Sequence, residues 1–185
     1  MKFTTKQLTQ TALLLAICIV SQFMKNTSVY LTGPIINAVL LIALWSVNVQ
    51  AALVLSVLTP ITAFMITGSP ITAAIPLLIP VIMLSNAIFV TTVWLGQKKG
   101  VAMKYVGMGA GCILKAAFMW IMTSFVLFPV FGQNVASRLP KPEALPKVLE
   151  TAKITFSVTQ LITAAIGCVL AVVIMIPLKS YLKSE

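Results

Sequence analysis

Few side chains in this chain can do chemistry, and those present suit binding better than catalysis. The chain has no Asp and no His, and its three Glu (Glu143, Glu150 and Glu185) fall outside the apolar stretches. Without Asp or His there is no hydrolytic triad and no metalloprotease pair, and there is no Gly-Lys-Ser/Thr phosphate loop. Intramembrane proteolysis would need paired carboxylates, a Glu/His set or a Ser/His dyad, all equally absent. The chain is not read as an enzyme, and no cofactor or metal is expected. Cys18, Cys112 and Cys168 lie in three different apolar segments without metal-ligand spacing, and read as small core residues.

What remains is a set of amides and hydroxyls and one cation inside apolar sequence. Each such group costs free energy in a membrane unless a partner or a water-filled pocket satisfies it. Asn37 lies near one end of the second apolar segment, and Asn86 lies midway along the fourth, beside Ser85. In the last segment Phe156, Gln160, Thr163 and Gly167 follow at spacings that make one continuous helical face. These amides and Thr163 are candidate ligand contacts. The alternative for each is an interhelical hydrogen bond, worth about 0.6–2 kcal/mol. Trp120 shares a face with Thr123, where it would either stack on a flat ring or fill the bundle. Asn26, Ser28, Tyr30, Thr32 and Ser69 fall in connecting loops, and Tyr30 reads as a lid over a ring-shaped ligand or as an interfacial aromatic.

Lys115 is the sharpest case. It sits about 11 residues into the fifth apolar segment, hence roughly 16 Å from that helix's start. An ammonium at that depth could pair with a carboxylate or phosphate on a substrate, in which case the substrate carries an acidic group. It could also snorkel back toward its own helix N-terminus or meet a partner subunit.

These residues sit in an overwhelmingly apolar chain. Hydrophobic residues make up 59% of the 185 and charged residues 9%, with a mean hydropathy of +1.06, where a soluble domain carries about a quarter charged residues. The first apolar run ends in Gln-Phe-Met-Lys rather than a small-x-small cleavage site, so it is kept as a helix. The expected architecture is one all-α integral membrane domain over 1–185. Its six transmembrane helices are expected at about 5–23, 34–47, 51–67, 73–95, 103–131 and 153–178, in a single bundle. Pro34 is read as a first-turn residue, Pro60 as a kink, Gly33 and Gly68 as hinges, and Glu143 to Glu150 as an amphipathic turn or two on the membrane surface.

An even number of spans puts both termini on one side. That side carries Lys2, Lys6, Lys98, Lys99, Lys104, Lys179 and Lys183. The other carries Lys25, Arg138, Lys141, Lys147 and Lys153, diluted by Glu143 and Glu150. The bias lies in short loops, where it sets orientation, so both termini are expected to be cytoplasmic. The net charge of +10 is thereby attributed to helix flanks and anionic headgroups of the lipid bilayer, with no nucleic-acid partner.

The absence of an intramembrane carboxylate or imidazole argues against a proton- or Na⁺-driven carrier. Helix 1 contains Ala12-Leu-Leu-Leu-Ala16, whose small residues four apart let a second helix approach closely. With that motif, the basic start, Gly33-Pro34, the short turn at Asn48, the Gly68-Ser-Pro70 break, Lys98-Lys99 and the long connection before the last helix, the chain resembles a substrate-binding S component of an energy-coupling factor (ECF) transporter. The resemblance implies that Ala12 and Ala16 dock on a coupling transmembrane subunit. It also implies that two cytoplasmic ATPases supply the energy, and that a vitamin or related micronutrient binds in the outward half of the bundle. The implied cell location is the plasma membrane, multi-pass. Two other readings stay open at this level: a partner-independent small transporter or facilitator, and a non-transporting assembly subunit.

Overall fold

The computed structural model describes residues 3–24, 29–139 and 141–182, all in helices and their connections. Asn26 and Ser28 lie outside the described residues. Helix α1, Thr5–Phe23, starts at a reciprocal cap: the Thr4 hydroxyl accepts from the Gln7 backbone N–H and the Gln7 side chain accepts from that of Thr4. Helix α2, Val29–Ser46, is the central element, and Ala38 through Leu44 are buried without interruption. Helix α3, Val49–Thr67, is capped by the Asn48 side chain and ends at Gly68, whose φ of +54° is the left-handed conformation that glycine adopts without penalty. Gly68 therefore acts as a helix stop.

The prolines place the main differences from the sequence expectation. Pro34 lies inside α2 rather than at its start. Because it comes within two turns of the helix N-terminus, it forfeits little of the hydrogen-bond ladder, and the helix can begin at Val29. The expected helix over 73–95 is instead two pieces, α4 (Pro70–Ala74) and α5 (Leu78–Lys98), broken around Pro76. Helix α6, Val101–Ile121, continues into a π-helical stretch, Met122–Leu127, and then into α7, Phe128–Ala136. Pro129 in the first turn of α7 can donate no backbone bond to the turn before it, and the wider winding lies just upstream. The connection after α7 holds α8, Leu145–Thr155, which is longer than the one or two turns expected, and α9, Val158–Leu182, follows a short break.

Helices α1, α3 and α6 run one way along the bundle, and α2, α5 and α9 the other. The contacts that fix this are Gln22 on Thr59, Thr32 on Ser21, Gly33 on Thr163 and Gly111 on Phe89. Two crossings are close because glycine faces backbone there. A Cβ on Gly96 would come 2.6 Å from the Met103 carbonyl oxygen, and one on Gly167 would come 2.5 Å from the Asn37 Cβ. Gly33, expected to be a hinge, is instead a contact point, since a Cβ there would lie 2.8 Å from Thr163 Cβ.

Among the described residues, four helical stretches are long and apolar enough to cross a membrane: Val49–Thr67, Leu78–Lys98, Val101–Ala136 and Leu145–Pro177. Tyr30–Ser46 is apolar but shorter. At the bundle end where α1 begins, the Lys98 ammonium lies over the Trp94 ring and that of Lys104 over the Trp45 ring, each at 3.5 Å from the ring centre. Such cation–aromatic pairs are typical of the headgroup level.

Candidate functional site

A cavity of about 500 Å³ opens in the half of the bundle away from the start of α1 and the end of α9. Its walls come from the N-terminal part of α2, the C-terminal part of α3, α4, the first half of α5, α8 and the start of α9. The volume suits a small organic molecule.

The floor is a three-residue polar cluster joined from three helices. Lys115 of α6 is only 3% exposed and donates from Nζ to Asn37 Oδ1 of α2 at 2.5 Å and to Asn86 Oδ1 of α5 at 2.8 Å. Asn37 in turn donates from Nδ2 to the Gly33 carbonyl oxygen, 3.0 Å away, which orients its Oδ1 toward the lysine. The Phe89 ring lies nearby, its centre 5.5 Å from Nζ. Neither amide carries a formal charge, and among the described residues no acidic side chain lines the cavity. Of the chain's three Glu, Glu143 and Glu150 are exposed on the surface and Glu185 lies outside the described residues. The floor thus presents a buried cation solvated by dipoles alone.

Close helix approach positions this cluster. Gly167 lets α9 touch α2 at Asn37, and Gly111 lets α6 settle on α5 against Phe89, three residues beyond Asn86. One turn before Lys115 on α6, Cys112 meets Cys168 of α9 with the sulfurs 3.6 Å apart. Both are free thiols that fill a tight helix crossing. Among the described residues, no three potential metal ligands gather.

The sequence candidates divide. Asn37, Asn86, Lys115 and Gln160 all line the cavity, as do Thr32 and Ser69. Thr163 does not: it is buried against Gly33, with its hydroxyl donating to the Gln160 carbonyl oxygen at 3.2 Å. Trp120 is 46% exposed on the outside of the bundle, edge-on to Phe125 with centroids 5.3 Å apart, whereas Thr123 is fully buried. The face they were expected to share is split where the π-helical winding begins at Met122. Tyr30 is 57% exposed in the first turn of α2 and is not part of the cavity wall. Ala12 and Ala16 are both exposed, in line with Leu8 and Val20 on the outer face of α1.

Two walls were not anticipated. Thr59, Ala63 and Thr67 line the cavity from α3, and Lys147, Thr151 and Thr155 line it from α8. Both are small or polar residues recurring every fourth position, a stripe that can be read along a helix once each segment is known to face a pocket.

The family model for the ECF transporter, substrate-specific component, matches residues 6–179. The chain belongs to this family. No curated protein and no solved structure gives a match. As an S component it is a substrate-binding transporter subunit rather than an enzyme, a multi-pass protein of the plasma membrane, and a member of a family that associates with ECF transmembrane and ATPase modules.

Proposed function

We propose that this S component captures a small water-soluble vitamin or related micronutrient in the cavity floored by Lys115, Asn37 and Asn86, for an importer driven by ATP. The observation that carries the reading is the cavity itself. It gathers the buried Lys115, Asn37 and Asn86 from three helices into one half of a largely apolar bundle, where unsatisfied polar groups are expensive. Gln160 stands on its wall, at the start of α9. In the same reading six helices cross the membrane and both termini are cytoplasmic. The cavity then faces outward, and the Trp–Lys pairs lie at the cytoplasmic headgroups, consistent with the lysine-rich short loop between α5 and α6.

The exposed face of α1 that holds Ala12 and Ala16 docks on the coupling transmembrane subunit, and two cytoplasmic ATPases provide the energy. Small side chains at that spacing allow close helix approach in lipid, and both are uncovered in the isolated chain. The test is a mild-detergent pull-down of the tagged protein from its native membranes. Two ATPases and a second membrane subunit should co-purify and be lost when Ala12→Trp and Ala16→Trp are combined. A folded, abundant protein that comes out alone would instead favour a partner-independent facilitator.

A further inference from the structure

We infer that the molecule captured in this cavity is an organic monocarboxylate with a largely apolar body, its carboxylate seated on Lys115. This rests on the capture reading above and narrows it to one charge class.

The inference follows from charge and geometry. Among the described residues the cavity lining holds two lysines, Lys115 at the floor and Lys147 in α8, and no acidic residue, a formal +2. A buried ammonium without a counter-ion is costly, and neutral amide oxygens repay only part of that cost. Asn37 and Asn86 engage two of its three N–H groups. The remaining donor and the uncompensated charge are what an incoming carboxylate would satisfy. A cationic ligand would meet the opposite situation, repulsion from the floor with no carboxylate among the described wall residues. Phosphate recognition ordinarily draws on arginine forks or several converging donors, and this floor offers one ammonium and no arginine. A single negative charge is the better match.

The walls describe the rest of the molecule. Ile36, Ile79, Ile82, Phe64 and Phe156 give an apolar body its contact surface. The hydroxyls of Thr59, Thr67, Thr151 and Thr155 each donate to a carbonyl oxygen of their own helix one turn back. Their oxygens therefore remain available as acceptors, suited to hydroxyl or amide donors on the ligand body. Lys147, exposed at the end of the cavity formed by α8, adds positive potential along the approach.

The experiment compares matched probes on the purified protein in lipid nanodiscs, by calorimetry and thermal shift. The acids are pantothenate, nicotinate, 4-aminobenzoate and benzoate. Their neutral counterparts are pantothenol, nicotinamide, 4-aminobenzamide and benzamide, and thiamine and benzylamine are the cations. At least one acid should bind at least tenfold more tightly than its neutral counterpart, with neither cation binding, and Lys115→Met should erase that preference. The acid-to-neutral comparison is made on the unmodified protein, so a variant that fails to fold does not blunt it. Binding of neutral or cationic probes in preference to acids overturns the inference, as does silence across all three classes. Neither result touches the assignment to an ATP-driven importer, which fails separately if the pull-down returns the protein alone.

Discussion

Replacing Asn86 with Asp should stabilise the empty protein while weakening its hold on an acid, and the two effects have one physical origin. Asn86 Oδ1 lies 2.8 Å from the Lys115 ammonium. A carboxylate oxygen in the same place would attract that charge by about 6 kcal/mol at an effective dielectric near 20. Burying the new charge costs several kcal/mol in lost hydration. Taking that cost as about 4 kcal/mol leaves a net stabilisation of about 2 kcal/mol. The ligand sees the reverse: its carboxylate would compete with an internal one for the same ammonium and lie beside a like charge. A loss of about 2 kcal/mol, or roughly 30-fold in affinity, is expected. The assay pairs thermal unfolding of the N86D protein in detergent with calorimetric binding of whichever acid probe the unmodified protein takes. An N86D protein that binds the acid as well as before would refute the reasoning, and so would one whose unfolding midpoint falls.

Two further outcomes follow from packing. Gly167→Ala would place a methyl group 2.5 Å from Asn37 Cβ and 2.9 Å from the Pro34 carbonyl oxygen, so α2 and α9 must separate. Overpacking of this kind costs about 2 kcal/mol, and the unfolding midpoint and acid binding should fall together; an unchanged midpoint contradicts the close crossing. Trp120→Ala removes a half-exposed ring outside the cavity and its edge contact with Phe125, worth about 1 kcal/mol. Ligand affinity should stay within about twofold of the original, and a tenfold loss measured by calorimetry would place Trp120 at the ligand after all.

The proline positions show how far local sequence carries the fold. Pro34 was expected to open a helix and instead lies within α2, and Pro60 lies inside α3, whereas the helices expected to run unbroken over 73–95 and 103–131 change around Pro76 and just before Pro129. Proline chemistry alone does not decide which of these breaks the chain, since α3 runs unbroken through Pro60 although a ladder bond is lost there. The segment before the last helix shows a similar limit. A surface turn was readable from its prolines and its glutamates, but α8 runs to Thr155 and supplies a cavity wall. Its Lys147, Thr151 and Thr155 stripe has meaning only once the opposite wall, α3, is in place.

By itself the sequence determined the class of protein and the kind of chemistry open to it. Hydropathy, the absence of Asp and His, and the polar residues that must be satisfied within apolar helices are properties of individual residues or of one helix turn. From these came the membrane bundle, the argument against an ion-coupled carrier, and Asn37, Asn86, Gln160 and Lys115 as residues of interest. Only the tertiary structure decided that Lys115 turns to Asn37 and Asn86, 78 and 29 residues away in sequence. It also decided that Trp120 faces outward and that Thr163 serves packing. Those outcomes depend on the rotation of each helix about its axis and on the glycine contacts where helices cross, which no single helix specifies.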